Sequence, residues 1–129
     1  MTHDTEYGAS KRAGLSHLWA AAGYSTGGLT RLMKEAAFRQ ELLVGAGLAA
    51  AYAIMDVTAA IRLAAAVLFL LLVAMEAVNT AIEEIIDRIS PEVSDTGKHA
   101  KDLGSLAVFC LISANSILLL HALAIELTT

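Results

Sequence analysis

Four polar side chains on one narrow stripe set the chemistry open to this chain. In the segment MEAVNTAIEEIIDRI, Met75 to Ile89, Glu76 is followed by Asn79, Glu83 and Asp87. At about 100° per helical residue the four fall within roughly 80° of arc. Glu76 and Asp87 then lie about 16 Å apart along the helix axis. Val78, Ile82, Ile85 and Ile86 occupy the rest of the circumference, so the stripe runs along an otherwise apolar rod. A carboxylate in such surroundings is costly unless it finds a partner, a cation or water. Glu84, Asp87 and Arg88 suit the solvated end of a helix leaving a membrane. Glu76 does not, because apolar residues and a single Asn flank it, and it is the first candidate for a working acid.

Two carboxylates at a membrane face, with Lys101 across a short loop, would suit Mg²⁺ carrying a nucleotide phosphate. A glutamate one or two turns deeper could take a proton from a hydroxyl presented by a lipid. The competing reading is a small proton- or ion-conducting subunit with Glu76 as relay. Against it, the acids gather at one face and do not continue outward through the span. A purely structural scaffold leaves Glu76 unexplained. Soluble nucleotide-binding signatures are absent: Gly97-Lys98 has Glu92 where a P-loop needs its first glycine, and no kinase catalytic-loop or D-F-G string occurs. The glycines of GYSTGG, Gly23 to Gly28, read as a helix break rather than a phosphate cradle.

These residues must be held by helices in a membrane. The 129-residue chain is 57% hydrophobic with mean hydropathy +0.62. Charged residues make up 17%, against a usual share of about 25%. The apolar residues come in blocks, which predicts an all-α membrane protein forming a single domain over 1–129. Between Glu76 and Asp102 seven acids face only Arg88, Lys98 and Lys101, which accounts for the whole net charge of −4. Such a cluster collects a divalent cation and repels nucleic acid. Cys110, the single cysteine, reads as a small core hydrophobe. The polar start of the chain carries no signal-peptide pattern.

In chain order, about 10–41 reads as an amphipathic surface region, either two helices or one helix broken at Gly23–Gly28. Within it Arg31 and Glu35, and Glu35 and Arg39, stand at i,i+4 spacing and are expected to pair. Transmembrane helices are expected over about 42–61, 63–86 and 103–125. Gly45, Ala49 and Ala53 give the first a small-residue face for close packing, and Asn115 in the third is placed for an interhelical hydrogen bond. Ser90-Pro91 should end the second, and Lys101-Asp102 begin the third. Five basic residues precede the first span, Arg62 follows it, three lie between the second and third, and none comes after. That distribution puts the N-terminus and the Arg88–Lys101 loop in the cytoplasm and the C-terminus outside. Three helices make a thin bundle around a charged site, so self-association is expected.

The strings AAGYS (Ala21 to Ser25), EAAFRQE (Glu35 to Glu41), EAVNTAIEEIIDRI (Glu76 to Ile89) and AKDLGS (Ala100 to Ser105) resemble the bacterial integral-membrane diacylglycerol kinase family. The resemblance runs from about Leu15 to His121, and its E-x-x-N-[ST]-A-I-E-x-x-x-D core with a following K-D is highly specific. It implies a homotrimer of three-span subunits, each with a surface helix, in the bacterial inner membrane. The sites would lie between subunits and transfer the ATP γ-phosphate to the diacylglycerol hydroxyl, with Mg²⁺, giving phosphatidic acid. By resemblance Glu76 is the general base and Asn79 its neighbour, while Glu35 and Glu83 hold the metal and nucleotide. Tyr24, Asp87, Glu92, Lys101 and Asp102 line the nucleotide. His17 joins them as the residue standing where better-known members carry an arginine. Ala21, Gly23, Ser25, Arg39, Gln40, Asp56, Arg62 and Ser105 fall near the lipid or the catalytic lattice. The chain is also one residue shorter between GYS and EAAFRQE, and Leu119 and Ala124 stand near the places of expected tryptophans. A related branch phosphorylates undecaprenol with the same core; AAGYS and EAAFRQE favour the diacylglycerol branch.

Overall fold

The computed structural model describes residues 14–128, with side chains from Trp19 onward. Four helices follow one another: α1 (Gly14–Leu32), α2 (Ala36–Ile54), α3 (Ala59–Ile89) and α4 (Asp95–Glu126). The two long ones form the frame. Thr58 caps α3, its hydroxyl accepting from the Ile61 amide, and Ser94 caps α4 by accepting from Gly97 at 3.1 Å. Pro91 cannot continue α3, so the chain turns back over Ser90–Ser94, where the Ser90 and Ser94 hydroxyls lie 3.1 Å apart.

α3 and α4 run antiparallel in a register fixed by small residues and one amide. Asn115 donates to the Leu68 carbonyl at 3.3 Å as well as to Leu111 in its own helix at 2.8 Å, which is the interhelical bond expected of it. Gly104 faces Asn79 with no room for a side chain between them, and Gly97 lies against Ile86. The pairs 68/115, 79/104 and 86/97 step evenly away from the loop, so α4 supports the acid stripe of α3 along its whole length.

Both helices are long and apolar enough to cross a bilayer, at 31 and 32 residues. At about 1.5 Å per residue each exceeds 45 Å, more than the ~30 Å hydrocarbon layer. Only 6% and 11% of their most apolar eighteen-residue windows are buried. A soluble core helix would be covered, whereas these helices turn Leu63, Val67, Leu70, Leu106, Phe109, Ile117 and Leu120 outward. Cys110 is exposed on the same surface and does not fill the core.

Three sequence expectations are revised. GYSTGG does not break the first helix: α1 is continuous through it, with no glycine at positive φ. Ser25, Thr26 and Thr30 return their hydroxyls to the carbonyls of Ala21, Gly23 and Thr26, so the polar run bonds to the helix itself. The break falls instead at Met33–Glu35, and Arg39 to Glu41 belong to α2. α2 then stops at Ile54, short of the expected 61, because Arg62 takes over its terminal carbonyls, donating to Tyr52 and Met55 at 3.0 Å each. α4 starts at Asp95, two turns before Lys101-Asp102, because Ser94 caps it there. Phe38, 1% exposed, anchors the start of α2, and Gly45 admits the Phe69 ring of α3. Far from the acid stripe, Tyr52, Met55, Val57 and Ala122 close the other end of the bundle.

Candidate functional site

The stripe of α3 reaches its partners one level at a time. At the deepest level Glu76 is half-buried, and Glu41 of α2 lies beside it. Glu41 stands one residue ahead of the expected first span. Its Oε2 is buried with no hydrogen-bond partner. Glu41 also lines a cavity of about 380 Å³ with Gln40, Val44, Phe69, Leu72 and Asn115, so this acid opens onto apolar space. The sequence reading gave Glu41 no role. A signal was present: Phe38, Glu41, Gly45, Leu48 and Tyr52 share one face of α2, and an acid on a face otherwise apolar calls for a partner.

One turn higher, Asn79 is 8% exposed and donates from Nδ2 to Glu83 Oε1 at 3.0 Å. The amide thus fixes the Glu83 carboxylate, while Asn79 Oδ1, pressed on Gly104, has no partner. At the top, Lys101 of α4 binds the Asp87 carboxylate across the helix pair. Asp87, Glu92, Lys101 and Asp102 all line one cavity of about 250 Å³, walled by Ser90, Ser94 and Lys98. The four nucleotide residues assigned by resemblance around the loop therefore share a single space.

Glu35 lies at the turn between α1 and α2, where it accepts from Arg31 Nη1 at 2.6 Å. The same guanidinium donates from Nε to Glu84 of α3. These bonds, that to Glu35 first, push Arg31 further up from an already high value. Glu84, expected to be merely solvated, is thus a tie between helices. Arg39 does not pair with Glu35; it donates to the Met33 and Lys34 carbonyls at 3.1 and 2.9 Å and holds the turn after α1. Among the described residues no three His, Cys, Asp or Glu side chains converge to hold a metal. Mg²⁺ arriving on a nucleotide needs only one or two carboxylates from the protein. Glu83, oriented by Asn79, and Glu35 fit that donor set, and a resident all-protein cage does not.

The remaining assignments scatter. Ala21, Gly23, Tyr24 and Ser25 are exposed on α1, Tyr24 by 78%. The His17 side chain lies outside the described residues. Gln40 lines the cavity of Glu41, and Ser105 is exposed beside Gly104. Asp56 and Arg62 sit at the other end of the bundle. Arg62 is fourteen residues, about 21 Å of helix, from Glu76, and the Asp56 amide is tied to Glu126 at 2.7 Å.

Comparison with known proteins bears on the same residues. The model of the family described as prokaryotic diacylglycerol kinase matches residues 23–123. A Sinorhizobium protein named diacylglycerol kinase is 56% identical over 107 residues, covering 83% of this chain and 78% of the relative. The Escherichia coli (strain K12) diacylglycerol kinase is 38% identical over 110 residues, covering 81% and 86%. That of Pseudomonas aeruginosa is 37% identical over 103 residues, covering 79% and 84%. The matched stretch contains the acid stripe, the Glu41 partner and the Asp87–Lys101 cavity, and the chain belongs to the prokaryotic diacylglycerol kinase family.

Proposed function

We propose that this chain transfers the ATP γ-phosphate to the hydroxyl of diacylglycerol, forming phosphatidic acid and ADP at the cytoplasmic face of a bacterial inner membrane. The observation that carries the reading is the order of groups along α3. Glu76 lies lowest, next to Glu41, which lines an apolar cavity. Glu83 stands two turns above it, and the Asp87–Lys101 cavity lies beyond. A lipid hydroxyl entering from the membrane meets the base first, and a nucleotide entering from water meets the cation and the polar cavity first.

In this reading Glu76 takes the proton of the acceptor hydroxyl as its oxygen attacks the γ-phosphorus, the bond to the β,γ-bridging oxygen breaks, and ADP leaves. Asn79 holds Glu83 in place, and Lys101 supplies positive charge beside the phosphates. Mg²⁺ carried by the nucleotide would be held by Glu83 and Glu35 and would neutralise phosphate charge. The N-terminus and the α3–α4 loop lie in the cytoplasm and the C-terminus outside, as the basic residues favour. The chain works as a homotrimer with sites between subunits. The outward apolar faces of α2, α3 and α4, and Glu41 open to a cavity, support that assembly.

The test is radiolabel transfer from ATP to a panel of lipid alcohols by protein in mixed micelles with Mg²⁺. Label in phosphatidic acid is expected, with undecaprenol a poor acceptor. Label in polyprenyl phosphate alone reassigns the acceptor. No transfer to any lipid, together with Glu76-dependent proton flux in liposomes, replaces the kinase by the conducting subunit.

A further inference from the structure

Helix α1 is tied to the rest of the chain by very little. Residues 21–30 are all exposed, and their hydroxyls bond only within the helix. Leu32, 4% exposed, and Phe38 pin the turn at its end, and Arg39 donates to the Met33 and Lys34 carbonyls of that turn. Among the described residues the one side-chain bond from α1 to another helix is that from Arg31 to Glu84. The same guanidinium holds Glu35 with its other edge. Only arginine suits this place, because its planar fork offers donors in two directions where lysine is a point charge. Glu84 adjoins Glu83, about 100° around α3, so Arg31, bound to both Glu84 and Glu35, brings Glu35 to the upper end of the stripe.

We propose that Arg31 is a positioning residue: by binding Glu35 and Glu84 at once it latches α1 onto α3 and holds the Glu35 carboxylate at the nucleotide end of the site. The role given to Glu35 rests on the nucleotide reading above; the latch itself does not. An ion pair this exposed adds little to global stability, so its effect is on where α1 sits.

Trp19, the single tryptophan, lies on α1 and is 78% exposed, which makes it a native reporter. Full-length protein in nanodiscs is measured in two ways without turnover. Trp19 fluorescence anisotropy reads the mobility of α1, and calorimetry reads the affinity for Mg²⁺ with adenylyl imidodiphosphate. Arg31→Met and Glu84→Gln should each lower the anisotropy and weaken the nucleotide analogue about three- to tenfold, the range of one ion-pair coupling. In turnover the loss should appear in KM for Mg-ATP, with kcat within about twofold. Glu84→Gln is decisive. It removes a negative charge near an anionic ligand, so charge alone predicts tighter binding and the latch predicts weaker.

The exchange Arg31→Glu with Glu84→Arg should restore the anisotropy but not the affinity, because a carboxylate at position 31 repels Glu35. Tighter binding by Glu84→Gln, or unchanged anisotropy in both single variants, overturns the proposal. Recovery of affinity by the exchange removes Glu35 from it. If the parent protein does not bind the analogue, the nucleotide reading fails, and the anisotropy of the variants still decides the latch.

Discussion

Replacing Gly104 by alanine tests whether the α3–α4 contact sets the geometry of the stripe. A Cβ at Gly104 would overlap Asn79 Oδ1 outright and stand 3.2 Å from Asn79 Cγ and 3.7 Å from its Cβ. The obstructing atom is the tip of a side chain, so the helices need not part; the Asn79 amide must rotate by about 1 Å or more. Overpacking of a rigid contact costs about 1–3 kcal/mol, and relief by a rotating tip puts this case at the lower end. The rotation, however, forfeits the 3.0 Å bond that holds Glu83. A hydrogen bond to a charged group contributes about 1.5–3 kcal/mol, and misplacing a working group by 1 Å costs about 10²-fold in rate. We therefore expect Gly104→Ala to melt within a few degrees of the parent while losing about 10- to 100-fold in activity. Gly47→Ala, where a new Cβ meets nothing within 4 Å, is the neutral control. The assay is initial rate against Mg-ATP on protein whose size and melting are checked first. Asn79→Ala and Gly104→Ala should be strongly non-additive, since both act through one amide. Full activity in Gly104→Ala, or losses that simply multiply in the double variant, refutes the route through Asn79.

Glu76→Gln should bind Mg²⁺-nucleotide normally and lose about 10²- to 10⁴-fold in turnover. Glu83→Gln should raise the Mg²⁺ requirement and the KM for ATP, and the reverse pattern exchanges the two roles. Glu35→Ala chains mixed with Glu76→Gln chains, each inactive alone, should recover activity in reassembled trimers, and mixed trimers without recovery argue for a site within one chain.

What the sequence disclosed was whatever depends on period alone. The stripe Glu76, Asn79, Glu83, Asp87 needs only a helix to align it, and α3 is that helix. Lys101 was legible because the loop before it is short and leads straight back. Glu41 escaped because its partner is 35 residues away and only the packing of α2 on α3 joins them. Glu84 escaped because its partner sits on α1, whose helix the three glycines appeared to interrupt. Glycine weakens a helix by about 1 kcal/mol each relative to alanine, and Ser25, Thr26 and Thr30 bonding to α1 carbonyls kept the polar groups there satisfied. The ends of α2 and α4 were misjudged for a related reason. Hydropathy marks where apolar residues stop, whereas helices stop where caps such as Arg62 and Ser94 terminate them.

The uninterrupted run of α3 makes the chain a gauge of its surroundings. With Ala59 at one face of the hydrocarbon, Glu76 stands about 26 Å along the axis and Glu83 about 36 Å, on either side of the ~30 Å boundary. Membranes differ in thickness by a few ångströms, a sizeable part of the interval between those two acids. On the proposed reading, a thicker layer drowns Glu83 and the cation it would hold, and a thinner one strands Glu76 above the headgroup it would meet. Since α3 has no hinge between the two positions, the distance cannot adjust to the lipid, and the lipid must match the distance.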